Sequence, residues 1–138
     1  MRRILTFHTK DAVGNNARIG PTYYMDADYV PIAARLYAET APKRDAELDI
    51  FDDGVSIFPN RTPTQHNATT GVDITGAAKT TIVLSEGQNG ESFAGDFNDN
   101  PIEEGSWVHC EIVQSGDGKN FTVQLDVERL SSENEPVK

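Results

Sequence analysis

The side chains with chemical potential in this chain are few and scattered. Asp96, Asn98 and Asn100 repeat the first three ligand spacings of a calcium-binding helix-loop-helix loop. Two later positions break the pattern: Pro101 stands where the sharp turn needs glycine, and Trp107 where the bidentate glutamate belongs. The stretch therefore reads as an acidic, Asx-rich loop. Asp26 with Asp28, and Asp52 with Asp53, are carboxylate pairs that hold a hard cation only if a fold brings more oxygen ligands to them. His8, His66 and His109 lie far apart, with no second His or Cys at ligand spacing, so nothing local favours zinc. No metal and no cofactor is expected. No glycine-rich loop opens a helix and no serine sits in a Gly-x-Ser-x-Gly elbow, so no catalytic residue is assigned and the chain is not expected to be an enzyme.

Cys110 alternates in phase with Val108 and Ile112, which marks a small core residue whose thiol burial keeps protonated and unreactive. Asn60, Asn67 and Asn120 each open an Asn-x-Thr triplet. The opening residues Met1 to His8 lack a signal-peptide apolar stretch, so these sites are expected to stay unmodified in a reducing cytoplasm.

Trp107 falls on the opposite side of the same alternation, with His109 and Glu111. An outward tryptophan is a subunit contact or a sugar-stacking platform, unless the loop from 87 to 104 folds over it through Phe93 or Phe97 or both sheet faces here are buried. Trp107, His109, Tyr37, Tyr23 and Tyr24 are the candidate interface residues.

The elements that must carry these residues are strands. Val108, Cys110 and Ile112 alternate with polar neighbours, as do Phe121, Val123, Leu125 and Val127, and a period of two means strand. Ser115-Gly116-Asp117-Gly118 between them predicts a hairpin: a turn at Gly116-Asp117 sets Ile112 opposite Phe121, Cys110 opposite Val123 and Val108 opposite Leu125, and a turn at Asp117-Gly118 also keeps apolar opposite apolar. Val30, Ile32, Ala34, Leu36 and Ala38 predict another strand, with Pro31 at its start or on an edge. Asp53-Gly54 predicts a type I′ turn that places Ile50 opposite Ile57. Weaker strands are expected at 4–9, 18–25 and 80–84, seven or eight in all. The fold class is all-β: an antiparallel sandwich or jelly roll, with a closed small barrel as the alternative. Residues 1–130 form one domain with a long polar loop at 59–79, and 131–138 form a flexible tail.

Bulk properties narrow the partners. With 22 acidic against 12 basic residues the net charge is −10, which repels phosphate backbones, so nucleic acid is excluded. No apolar run approaches the roughly 20 residues of a membrane-crossing helix, so no membrane partner is expected. One cysteine allows no internal disulfide.

The passages AELDIFDDGVSIFPN (Ala46 to Asn60) and IEEGSWVHCEIVQSGDGKNFTVQLDVERL (Ile102 to Leu130) resemble the small β-rich accessory proteins of tailed-bacteriophage virions. The resemblance lies in short strands, an acidic surface and Asn/Gly/Thr-rich arms, and it covers about a third of the chain. It implies a non-enzymatic structural protein made in the host cytoplasm and located in the virion, as capsid decoration, head fibre, head–tail or tail component. Its implied partners are copies of itself and other virion proteins. A carbohydrate- or ligand-binding module, with a surface glycan as partner, is the alternative.

Overall fold

The structure, a computed structural model, describes residues 2–11, 14–59, 81–95, 97–98 and 101–130, and the backbone of two short strands at 64–66 and 73–75. The strands in chain order are β1 (Arg2–His8), β2 (Ala17–Tyr24), β3 (Tyr29–Thr40), β4 (Ala46–Asp52), β5 (Val55–Ser56), β6 (Thr64–His66), β7 (Asp73–Thr75), β8 (Ile82–Leu84), β9 (Gly90–Phe93), β10 (Trp107–Gln114) and β11 (Lys119–Arg129). Among the described residues there is no helix. Nine strands make one antiparallel sheet in the order β5-β4-β10-β2-β1-β11-β3-β9, with β8 also paired to β4. β1 and β2 meet at a single pair, His8 with Gly20, and the sheet bends over there into an open half-barrel. The all-β antiparallel expectation stands, with its two layers formed as halves of one curled sheet.

The core fills the space between the halves. Leu5, Phe7, Leu36, Leu48, Ile50, Cys110, Phe121 and Leu125 are all buried on the concave side. Burial of side chains this size is the main stabilising term, about 1.5–3 kcal/mol each against full exposure.

Three local expectations met different outcomes. At Asp53-Gly54 both residues take positive φ, 47° and 87°, as a type I′ turn requires, and Ile57 N donates to Ile50 O at 3.0 Å. That hairpin forms in the expected register. The C-terminal strands also form with the expected inward faces, and the chain turns at Gly116-Asp117, where Gly118 N donates to Ser115 O at 3.0 Å. Yet β10 and β11 are not ladder partners: β10 lies between β2 and β4, and β11 between β1 and β3. The turn joins the two halves, so the apolar faces look at each other across the core. Alternation specifies which face a residue occupies and leaves its neighbour strand open.

In β3 the inward set is Tyr29, Pro31, Ala34, Leu36 and Ala38, so Val30 and Ile32 miss the core positions the sequence assigned them. A bulge against Asp126 and Val127 skips Ile32 and switches the face, and Pro31 sits beside it. Strand number is higher than expected because β6, β7 and β9 are each four residues or fewer, too short to show a period. In the expected 59–79 loop, β6 and β7 pair antiparallel apart from the main sheet. The rest of that loop, apart from Pro59, and the 131–138 tail lie outside the described residues.

The convex face of the β1–β11–β3 half carries one strong ion pair. Arg35 donates from Nη1 and Nη2 to the two oxygens of Asp126 at 2.9 and 2.7 Å. These bonds hold the Asp126 carboxyl below the ordinary carboxylate range, against the opposing effect of burial. A depressed folded-state pKa contributes stability above the unfolded value of about 3.9, lost as pH falls through the folded value. Thermal melts should therefore show Asp126→Asn less stable than wild type at pH 7, with the gap narrowing as pH falls below about 4.

Candidate functional site

The candidate interface residues separate into three groups. Tyr24 and Trp107 face each other across the β2–β10 ladder on the convex side, with ring centroids 5.0 Å apart at 61°. They remain 49% and 53% exposed, which is high for side chains of this size. Phe93 and Phe97 do not cover Trp107. They pack instead with Phe58, at centroid distances of 5.1 to 5.8 Å, where they and buried Ile102 pin the preceding loop to the body.

His109, next on the same face, is buried at 8% exposure. Its ring stacks on Phe51 at 5.0 Å, and Nε2 lies 2.9 Å from Glu111 Oε2. Tyr23 is also no free platform. It packs edge-on against Phe7 at 5.4 Å under the Arg3 guanidinium, its hydroxyl donates to Thr6 O at 2.8 Å, and Thr6 N donates back to it. Tyr23 and His109 thus stiffen the sheet beneath the exposed pair. Tyr37 lies on the other half, 52% exposed on the convex face with Ile4 at 51%. The sequence placed these residues on strands but could not tell that two of them spend their polar atoms locally.

The Tyr24–Trp107 end is held by a mesh of backbone bonds. Trp107 N donates to Asp53 Oδ1 at 3.0 Å, and Asp53 N donates to Trp107 O at 3.0 Å. Met25 N donates to Ser106 O, Gly105 N to Met25 O, and Glu104 N to Asp28 Oδ1 at 2.7 Å. Three loops, 25–28, 52–55 and 101–106, are locked together in this way. Of the carboxylate pairs Asp26/Asp28 and Asp52/Asp53, candidate cation ligands by sequence, Asp28 and Asp53 cap neighbouring amides. Asp26 has a third use: the Tyr29 hydroxyl donates to it at 2.7 Å and is the main cause of its lowered pKa.

Beside this mesh is a cleft of about 340 Å³ lined by Asp52, Asp53, Val55, Asn98, Glu103 and Ser106. Asp52 Oδ1 is buried without a hydrogen-bond partner among the described residues. At the far end a second cleft of about 440 Å³ is lined by Asn15, Arg44, Gln114, Ser115 and Asp117 with two glycines. There Arg44 and Asp117 close on each other at 3.1 Å.

Chemistry is sparse elsewhere. Burial pushes the Cys110 thiol well up, with Asp49 and Glu111 adding to it, so it is no nucleophile at neutral pH. His8 Nδ1 lies 2.9 Å from Thr122 Oγ1 at the sheet surface. The His66 side chain, and Asp96 and Asn100 of the Asx-rich loop, lie outside the described residues. Asn98 donates from its backbone N to Ile57 O and from Nδ2 to Ser56 O. Among the described residues no group of three His, Cys, Asp or Glu side chains is placed to hold a metal ion. Treatment with EDTA should leave the melting temperature unchanged; a fall of several degrees, reversed by calcium, would show a structural ion.

No family model matches the chain, and neither does any curated protein. Among solved structures it is similar to the catalytic domain of a GH87 alpha-1,3-glucanase in complex with nigerose, at 13% identity and a TM-score of 0.42, covering 94% of this chain and 22% of that one. A variant of that catalytic domain bound to tetrasaccharides gives 11% identity and a TM-score of 0.45, covering 99% of this chain and 29% of that one. The chain spans less than a third of those proteins.

Proposed function

We propose that this chain is a non-enzymatic structural and interaction protein of a tailed-phage virion that works by packing. The observation that carries this reading is the exposure of large apolar side chains on the convex faces of both halves: Ile4 and Tyr37 on one, Tyr24 and Trp107 on the other. A rigid body with two such faces suits a part that touches copies of itself through one and another protein through the other. The Ile4–Tyr37 face suits the self-contact, because it carries both signs of charge, with Arg35 and Asp126 already paired. Copies meeting there do not oppose like charges.

Stepwise stripping of particles from the producing culture, followed by mass spectrometry, tests the assignment. A chain retained with the particle until a defined step supports it. A chain found only free in the lysate contradicts it. A second reading, a glycan-binding module, draws on the same half-exposed Tyr24–Trp107 pair, since a sugar ring stacks on such a surface. It differs in predicting a monomer whose ligand is an oligosaccharide.

A further inference from the structure

The three loops at the end of the molecule that presents Tyr24 and Trp107 carry one sign of charge, and the adjoining cations Arg3 and Arg129 both act on Asp26. The loops hold Asp26, Asp28, Asp52, Asp53, Glu103 and Glu104, and no Lys, Arg or His. Arg3 reaches Asp26 at 3.7 Å from β1, on the side of Tyr23 and Tyr29. Asp52, Asp53 and Glu103 line the cleft next to these loops, and Asp53 also accepts from Trp107 N; Asp52 Oδ1 is buried without a hydrogen-bond partner among the described residues. Carboxylates next to aromatic faces favour a donor that is also a cation.

From this charge complementarity we propose that the Tyr24–Trp107 end docks a basic segment of another protein. In that contact an arginine stacks on the Trp107 ring, and neighbouring cations meet Asp53, Glu103 and Glu104. The guanidinium suits this surface better than an ammonium, because its planar fork stacks on a ring and bonds a carboxylate at the same time. A second copy is a poor occupant, since a two-fold contact at this end would press the same carboxylates together. The inference rests on the reading of this end as a contact surface and names the chemistry of its partner.

The test uses the chain's one tryptophan as reporter. Oligo-arginine peptide titrated into the intact protein at low salt should change Trp107 emission saturably, more tightly than oligo-lysine, while oligo-glutamate does nothing. The triple variant Asp53→Asn, Glu103→Gln, Glu104→Gln should weaken oligo-arginine binding about tenfold, whereas a control triple, Glu39→Gln, Glu86→Gln, Glu91→Gln, removes the same charge elsewhere and leaves it nearly unchanged. The amides keep their acceptor oxygens, and equal melting temperatures establish that both triples fold. Equal weakening by the two triples would reduce the effect to net charge and overturn the proposal. So would a Trp107 response to a neutral oligosaccharide, or to protein concentration alone, in place of the peptide. Neither failure touches the self-contact on the Ile4–Tyr37 face, which oligomeric mass reads independently.

Discussion

Replacing Tyr37 by aspartate should convert the assembled protein to monomer while leaving its melting temperature within a degree or two. The side chain is 52% exposed on the convex face, so its removal opens no cavity. A new carboxylate would instead be repeated at every copy of the contact, close to Glu39 on the same strand, in a body that already carries −10. Like charges brought together with loss of solvent cost several kcal/mol, more than a contact of modest area retains after its entropic losses. Analytical ultracentrifugation of wild type and variant at equal concentration reads the outcome. An unchanged mass would move the self-contact off this face. Trp107→Ala, on the other half, should leave the self-assembled mass as it was.

Replacing Phe121 by alanine should cost about 3–5 kcal/mol, the usual range for an aromatic residue cut back in a filled core. Phe121 has no exposed surface and faces inward from β11, which lies in the middle of the sheet between β1 and β3. It also approaches Gly118, where a Cβ would stand 2.6 Å from its Cζ. The ring therefore packs against the turn that joins the two halves, and its loss loosens the crossing as well as the core. Urea unfolding followed by circular dichroism measures the change. A midpoint equal to that of wild type would contradict the assignment of Phe121 to the core.

How far the sequence disclosed this molecule depends on what kind of information each feature needs. Faces were legible: Val108, Cys110, Ile112, Phe121, Val123, Leu125 and Val127 are all buried, as their alternation required. The Asp53-Gly54 turn was legible because only a few residue pairs accept two successive positive φ angles. Neighbours were not. The tight turn at Gly116-Asp117 looks the same in sequence whether it closes a hairpin or carries the chain between halves. What decides is the claim that β2 and β4 make on the edges of β10, a long-range choice that no local pattern records. The bulge in β3 was hidden for a related reason, since Val30 and Ile32 fit the apolar phase until pairing with β11 shifts it.

The candidate site was legible in part. Trp107 was placed outward by phase alone, and its exposure follows because Phe93 and Phe97 find Phe58 first. Tyr24 emerged as its partner only through the β2–β10 register. Tyr23 and Tyr24 are adjacent and chemically identical, yet strand alternation sends one hydroxyl to Thr6 and leaves the other ring on the surface. The single sign of the three loops at that end was in the sequence throughout. Only the hydrogen bonds linking Met25, Asp28, Asp53 and Trp107 to their neighbours show that the loops form one surface.

Light scattering of the purified chain across a range of salt reads whether it packs on itself through an apolar contact. A self-contact resting on Tyr37 and Ile4 works against repulsion between bodies at −10, and salt screens that repulsion over about 10 Å at 0.1 M. The expected result is a defined oligomer whose mass persists or grows from low salt to about 0.5 M. A strict monomer at every salt and protein concentration would contradict it.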